Sequence, residues 1–313
     1  MKRSAAANAV LGAVAMGAAI MLVVSVSRDS GAVTTASVAV AAPAPSTASP
    51  STTLATQSTH TPTPSPTPAI SAEQGRAIAE AVQAAARKTV SSAKVGLEVY
   101  DRQTDAVVTS ANTETQFSSM SVVKLLIAID ILARDDWALP SESTQQRITR
   151  MLSMSDDAIA SSFWVSDGGQ SIITRDVKLM GLTDTTAPRT AGEWGDTKIT
   201  AADMVTVYRY LEDKVPQPAH DLLYNAMFHA SSTGADGTNQ YFGIPNGLPG
   251  TTWAIKQGWG SSGSTAYYNT TGLVGKDARY VVIVLSSGSL GSYSSMPKAL
   301  TNATAQLAPI FAA

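Results

Sequence analysis

The sequence predicts an α+β domain, with one antiparallel sheet formed by N- and C-terminal strands and flanked by a helical cluster. Three observations predict it. Two short β-rich segments joined by a turn, residues 95–100 and 106–109, come early. A long middle stretch carries only helical patterning, and three further β-rich segments (252–256, 265–274 and 279–285) then follow. Strands at both ends of a domain with helices between them favour one shared sheet with the helices packed beside it.

The chain has 313 residues, enough for one sizeable domain with appendages. Lys2 and Arg3 precede an apolar stretch from Ala5 to Val26, closed by Arg28 and Asp29. Its 22 residues, at about 1.5 Å each, span roughly 33 Å, enough to cross a hydrocarbon core of about 30 Å. Residues 1–28 are therefore expected to be a membrane anchor with its positive end in the cytoplasm. The alternative is a signal peptide cut near Ala39-Val40-Ala41. Both place the rest of the chain outside the cytoplasm, anchored by an N-terminal helix or secreted. Between Asp29 and Glu73 there is no Asp, Glu, Lys or Arg, and the run Thr61-Pro-Thr-Pro-Ser-Pro-Thr-Pro68 is proline-rich. Residues 29–69 read as an extended linker, and residues 70–313 as the folded domain.

Within that domain Ser71 is a good N-cap for a helix whose face is Ile78, Val82, Ala85 and Ala86. The turn Asp101-Arg-Gln-Thr-Asp105 joins the first two strands as a hairpin. A helix over 119–134 is apolar nearly all round, which predicts burial. Helices are expected at 142–153, 157–164, 170–180, 201–212 and 219–229, with Thr200 and Asp203 forming a capping box. The unbroken run Val281-Val-Ile-Val-Leu285 is of central-strand type, and a last helix follows Pro297.

Composition narrows the chemistry. Apolar residues make up 44% and charged residues 15%, with a formal net charge of −2. A large core is affordable, and nothing favours a nucleic-acid partner. There is no cysteine, which excludes disulfides, thiol catalysis and a lipidated cysteine. His60 falls in the linker, and His220 and His229 lie on or near one helix. That leaves a Ser-His-Asp triad without motif support and a zinc site without paired ligands. No metal or cofactor is expected, and the partners are a substrate and, through the N-terminus, the membrane.

Three motifs remain. In Phe117-Ser-Ser-Met-Ser121-Val-Val-Lys124, Ser121 and Lys124 lie one helical turn apart, so their side chains share a face. The amine can take the hydroxyl proton if burial lowers its pKa. The competing reading is a helix cap with a solvated lysine, but Lys124 stands among seven apolar positions. Ser155-Asp156-Asp157 reads equally as an ordinary N-cap. Lys256-Gln257-Gly258 is expected to end a strand before Trp259.

In this order the motifs resemble those of the penicillin-recognising serine hydrolases, the class A β-lactamases and D-alanyl-D-alanine peptidases, which carry S-x-x-K, S-x-N or S-D-N, and K-T-G. The segments Gly181-Leu-Thr-Asp-Thr185 and Thr197-Lys-Ile-Thr-Ala-Ala-Asp-Met204 also resemble the class A Ω-loop region. The similarity covers most of residues 71–313 and is strongest to β-lactamase-like proteins of high-GC Gram-positive bacteria. It implies a cell-envelope hydrolase, expected to be monomeric, acting on a β-lactam or a peptidoglycan-type amide. Ser121 would be the nucleophile, Lys124 its base, and Ser155 with Lys256 the proton relay to the leaving nitrogen. The amides of Ser121 and Trp259 would form the oxyanion hole, and Gly258 would belong to the same substrate-binding or oxyanion region. Three departures follow from the same comparison. Asp157 replaces an asparagine that would hold substrate, and Gln257 replaces a small hydroxyl residue expected to bind a substrate carboxylate. The Ω-loop equivalent has no Glu-x-x-x-Asn, and Glu193 is the only acid near its centre, a candidate for deacylation but more readily a surface residue. A degenerate domain that binds an envelope ligand or protein is the alternative, and a stalked adhesion module with no reactive serine is a third.

Overall fold

A computed structural model describes residues 70–312. The expected anchor or signal segment (1–28) and linker (29–69), with His60, lie outside the described residues. The elements in order are α1 (Ala72–Thr89), β1 (Lys94–Asp101), β2 (Ala106–Ala111), β3 (Phe117–Ser118), α2 (Val123–Arg134), α3 (Glu142–Ser153), α4 (Asp157–Ser166) and α5 (Gln170–Met180). There follow β4 (Lys198–Ile199), α6 (Ala201–Lys214), α7 (Gln217–Phe228), α8 (Ile244–Gly247), β5 (Trp253–Ser262), β6 (Thr265–Val274), β7 (Tyr280–Ser289), α9 (Met296–Thr304) and α10 (Ala308–Phe311). Among the described residues no helix is long and apolar enough to cross a membrane.

The α+β expectation holds. One five-stranded antiparallel sheet has the order β2-β1-β7-β6-β5, so the last strand enters beside the first. The register of β1 on β7 runs from Lys94 opposite Ser287 to Asp101 opposite Tyr280. The apolar run in β7 is unbroken because both faces of the sheet are covered. Val281, Ile283 and Leu285 pack toward the helical cluster, whereas Val282 and Val284 pack under α1 and α9. On that second face Ile78 and Val82 of α1 meet Leu97, Val99, Met296 and Leu300. Ser71 starts α1 with a complete capping box: its hydroxyl accepts from the Gln74 amide at 3.2 Å, and the Gln74 side chain accepts from the Ser71 amide at 2.8 Å. On the opposite face α2 is the central post. Residues 120–130 are all buried, with α3, α4, α5 and α7 packed around them.

Three local expectations change. The helix expected from residue 119 starts as a 3₁₀ turn, Met120–Val122, before α2. The strand expected to stop at Lys256 continues to Ser262, because β6 pairs with it along its full length. Thr200 does cap α6, its hydroxyl accepting from the Asp203 amide at 3.2 Å, but the Asp203 carboxylate does not return the bond. It accepts instead from the amides of Thr183 (3.0 Å) and Asp184 (2.9 Å) and the hydroxyl of Thr185 (2.7 Å), pinning the start of the loop between α5 and α6. The two-residue pair β3–β4, which crosses that loop's far end, has no sequence signal of its own.

On α5, Asp176 is fully buried and neither carboxylate oxygen has a hydrogen-bond partner. Burial, reinforced by nearby Asp130 and only partly opposed by Arg175, pushes its carboxyl well above the ordinary 3.8. An acid held protonated in the folded chain but ionised in the unfolded one contributes stability that is full below the unfolded pKa and lost as pH rises. Asp176→Asn should remove that decline. Melting temperatures of the two proteins between about pH 4 and pH 8 should show the native chain losing ground as pH rises, and parallel curves would refute this.

Candidate active site

The site forms where the free edge of β5 meets the turn that opens α2. Gly258 permits the approach: a Cβ there would lie 2.5 Å from the Ser119 carbonyl oxygen and 3.1 Å from the Val122 side chain. Gly260, at φ +156, lies so close to Met120 that a Cβ would fall 2.6 Å from its sulfur. The turn is gripped from three sides. Asn269 of β6 donates to the carbonyls of Ser118 (2.9 Å) and Ser119 (3.1 Å), and the Ser119 amide donates to Thr197 at 2.8 Å. Met120 is held at φ +50 and Ser155 at φ +57. Non-glycine residues rarely adopt this left-handed region, and when they do it is where surrounding contacts impose it.

Four of the expected residues converge. Lys124 Nζ donates to Ser121 Oγ at 2.8 Å, to the Ser155 carbonyl at 2.7 Å and to Ser155 Oγ at 3.1 Å. Lys256 Nζ donates to the same Ser155 Oγ at 2.9 Å and to the Gln257 carbonyl at 3.0 Å. Lys124 is 0% and Lys256 1% exposed, so the solvated-lysine reading fails. Burial lowers the pKa of Lys124, opposed chiefly by Asp157. Burial and then the neighbouring Lys124 push Lys256 well below its ordinary value. Two ammonium groups sharing one hydroxyl repel, and the arrangement favours a neutral amine at one of them.

The remaining expected residues separate. Asp157 forms an ion pair with Lys124, as a carboxylate in that place should, with its own side chain 65% exposed. Asp156 is the N-cap of α4, accepting from the Ala158 and Ile159 amides at 3.1 Å and from Arg150 at 2.8 Å. Ser155-Asp156-Asp157 thus divides: Asp156 caps a helix, whereas Ser155 and Asp157 meet Lys124. Gln257 does not reach the cavity. It is 1% exposed, and its side-chain amide donates to the carbonyls of Gln240 (3.0 Å) and Phe242 (2.7 Å). Trp259 lines the cavity, and its indole N–H donates to Asp236 at 2.9 Å. Glu193 is exposed at the cavity rim, and among the described residues its carboxylate takes part in no hydrogen bond of the site.

Above these groups lies a cavity of about 410 Å³ bounded by Ser121, Asp157, Trp194, Asp236, Trp259 and Tyr293, within the usual range for a small-molecule site. Two of its walls were not read from the sequence. The Trp194 ring stands 4.9 Å from Lys124 Nζ, tethered by its indole N–H to Ser161 at 3.2 Å. Asp236 sits in the tight turn Gly234-Ala-Asp-Gly237 and accepts from the Thr238 amide at 2.9 Å. Only that turn's glycines offered a signal. Asn269, a polar residue inside a β-rich segment, was the other clue.

No protein-family model matches the chain. It is 33% identical over 210 residues to proteins described as "Putative lipoprotein LppW" from Mycobacterium tuberculosis and Mycobacterium bovis, an alignment covering 65% of this chain and 66% of theirs. The fold matches solved structures more fully. A β-lactamase from Burkholderia vietnamiensis superposes with TM-score 0.62 at 18% identity, over 74% of this chain and 96% of that one. One from Chitinophaga pinensis gives TM-score 0.61 at 12% identity over 75% and 99%, and an ancestral class A β-lactamase 0.61 at 16% over 75% and 100%. The domain therefore has the fold of the class A β-lactamases and is similar in sequence to the mycobacterial proteins.

Proposed function

We propose that this protein is a monomeric serine hydrolase of the cell envelope that forms an acyl-enzyme on an amide carbonyl, of a peptidoglycan-type peptide or a β-lactam, and releases the acyl group slowly. The 2.8 Å hydrogen bond between Lys124 Nζ and Ser121 Oγ carries this reading, inside a network that continues to Ser155 and Lys256. Neutral Lys124 takes the Ser121 proton as Oγ bonds to the carbonyl carbon. The amides of Ser121 and Trp259, on the two segments that Gly258 brings together, would hold the oxyanion, worth roughly 3–4 kcal/mol per donor. As the C–N bond breaks, Ser155 passes a proton to the nitrogen and recovers one from the lysines it bridges. Among the described residues Glu193 has no hydrogen-bond partner that would hold it over Ser121, and in this reading deacylation is the slow step. The relatives' description as lipoproteins supports an envelope location. This chain has no cysteine to carry a lipid, so in this reading the apolar segment 5–26 anchors it and residues 29–69 form the spacer.

Asp157 favours a second reading, a domain that binds without turnover, because a carboxylate against Lys124 holds the amine protonated. Intact-protein mass spectrometry decides between them. With a neutral activated thioester and with benzylpenicillin, the native chain should gain one acyl mass with at least one donor, and Ser121→Ala none. No adduct on the native chain, or an undiminished one on the variant, would sink the nucleophile assignment.

Asp157→Asn tests the proton balance. Burial lowers the Lys124 pKa and Asp157 opposes it, so removing the carboxylate should lower it further. Acylation needs the neutral amine, and the acidic limb of its pH–rate profile should move to lower pH. A shift the other way would show that Lys124 is not the base.

A further inference from the structure

The charge of the cavity is opposite to what a carboxylate-bearing substrate needs. Three of its lining residues are acids, Asp157, Glu193 and Asp236, and among the described residues no arginine or lysine lines it. The two lysines behind it are buried, and the ion pair that Lys124 makes is with Asp157. Among the described residues Glu193 and Asp236 take part in no salt bridge. Asp236 is kept ionised. Burial raises its carboxyl pKa, but the Thr238 amide and hydroxyl and the Trp259 indole N–H outweigh this and hold it below the ordinary value. These are neutral donors, so its negative charge is oriented but not cancelled.

The rest of the wall is aromatic. Trp194, Trp259 and Tyr293 face the same space as the acids. Aromatic faces beside fixed carboxylates attract an ammonium group by cation–π and Coulomb terms together. A ligand carboxylate meets two acids there, Glu193 and Asp236, that no cation pairs among the described residues, beside an Asp157 already paired with Lys124. The side chain after Lys256, expected to receive such a carboxylate, is Gln257, turned away onto the Gln240 and Phe242 carbonyls.

We propose that this cavity selects acyl donors bearing an ammonium group, such as a peptide or amide with a free amine near the scissile carbonyl. It discriminates against donors bearing a carboxylate, β-lactams with their ring carboxylate included. The acyl-transfer part rests on Ser121 as nucleophile; the charge selection belongs to the cavity.

Three Nα-acetyl amino acid thioesters, of norleucine, lysine and glutamate, present a neutral, a cationic and an anionic side chain of similar reach. Acylation of the native full chain, timed by intact mass at low salt, should be about tenfold faster for the lysine ester than for norleucine, and about tenfold slower for glutamate. Added salt should compress these ratios. Asp236→Asn keeps an oxygen for the Trp259 indole, and Glu193→Gln keeps the side chain's shape. Each should cut the lysine-to-glutamate ratio by about threefold or more. Equal rates, a faster glutamate ester, or ratios unmoved in both variants would overturn charge selection. If no ester acylates the native chain, the nucleophile reading fails by itself. Binding of Nα-acetyl-lysine and Nα-acetyl-glutamate methylamides to Ser121→Ala, followed by tryptophan fluorescence, then decides the selectivity. Tighter lysine binding supports it, and no difference between the two refutes it.

Discussion

Lys124 and Lys256 both end on the hydroxyl of Ser155, and neither side chain reaches bulk water. Removing an ammonium group from water carries an effective penalty of several kcal/mol. The fold offsets it with acceptors rather than with solvent: Ser121 Oγ, the Ser155 carbonyl and hydroxyl and the Asp157 carboxylate for one lysine, Ser155 Oγ and the Gln257 carbonyl for the other. Those acceptors come from three places, the turn before α2, the loop before α4, and β5. Their meeting requires the helical cluster to be docked on the edge of the sheet, so the buried amines and the overall packing hold one another in place.

The same arrangement accounts for the backbone at the site. Met120 and Ser155 take left-handed conformations on either side of the cluster, which surrounding packing must sustain. Gly258 and Gly260 let β5 press against the turn, and Asn269 ties the turn's carbonyls to the next strand. Asp203 reaches out of α6 to fasten the loop that brings Trp194 to Lys124. Each contact limits movement of Ser121 relative to Lys124, a condition that the proposed acyl transfer would place on the pair.

Around this core the cavity is lined by acids. A carboxylate stands against Lys124, a second is oriented by Trp259 and Thr238, and a third lies free at the rim. In this chain, whose fold matches class A β-lactamases, the Ser121–Lys124–Ser155–Lys256 network and the acid-lined wall of the cavity are carried by different residues. The first is buried and hydrogen-bonded throughout. The second sits on the α5–α6 and α7–β5 connections and on β5 itself, where substitution disturbs little packing.

Much of the fold was legible in the sequence, because hydrophobic period and caps are local properties. Ser71, the all-apolar α2 and the run in β7 each announced their element, and α3 and α5 fall at their expected bounds. The order of motifs likewise singled out Ser121, Lys124, Ser155 and Lys256. Their mutual distances were not in the sequence, since Ser155 and Lys256 are 101 positions apart and only the docking of loop on strand joins them. Tertiary structure also decided which half of an ambiguous motif does what: Asp156 caps a helix while Asp157 meets a lysine, and Gln257 faces inward while Trp259 faces the cavity. Asp236 and Trp194 are of ordinary type in loops, and apart from the glycines of the turn that holds Asp236 nothing local marks them. Their part is set by the space they share with Ser121, which exists only once the sheet and the helices have closed on each other.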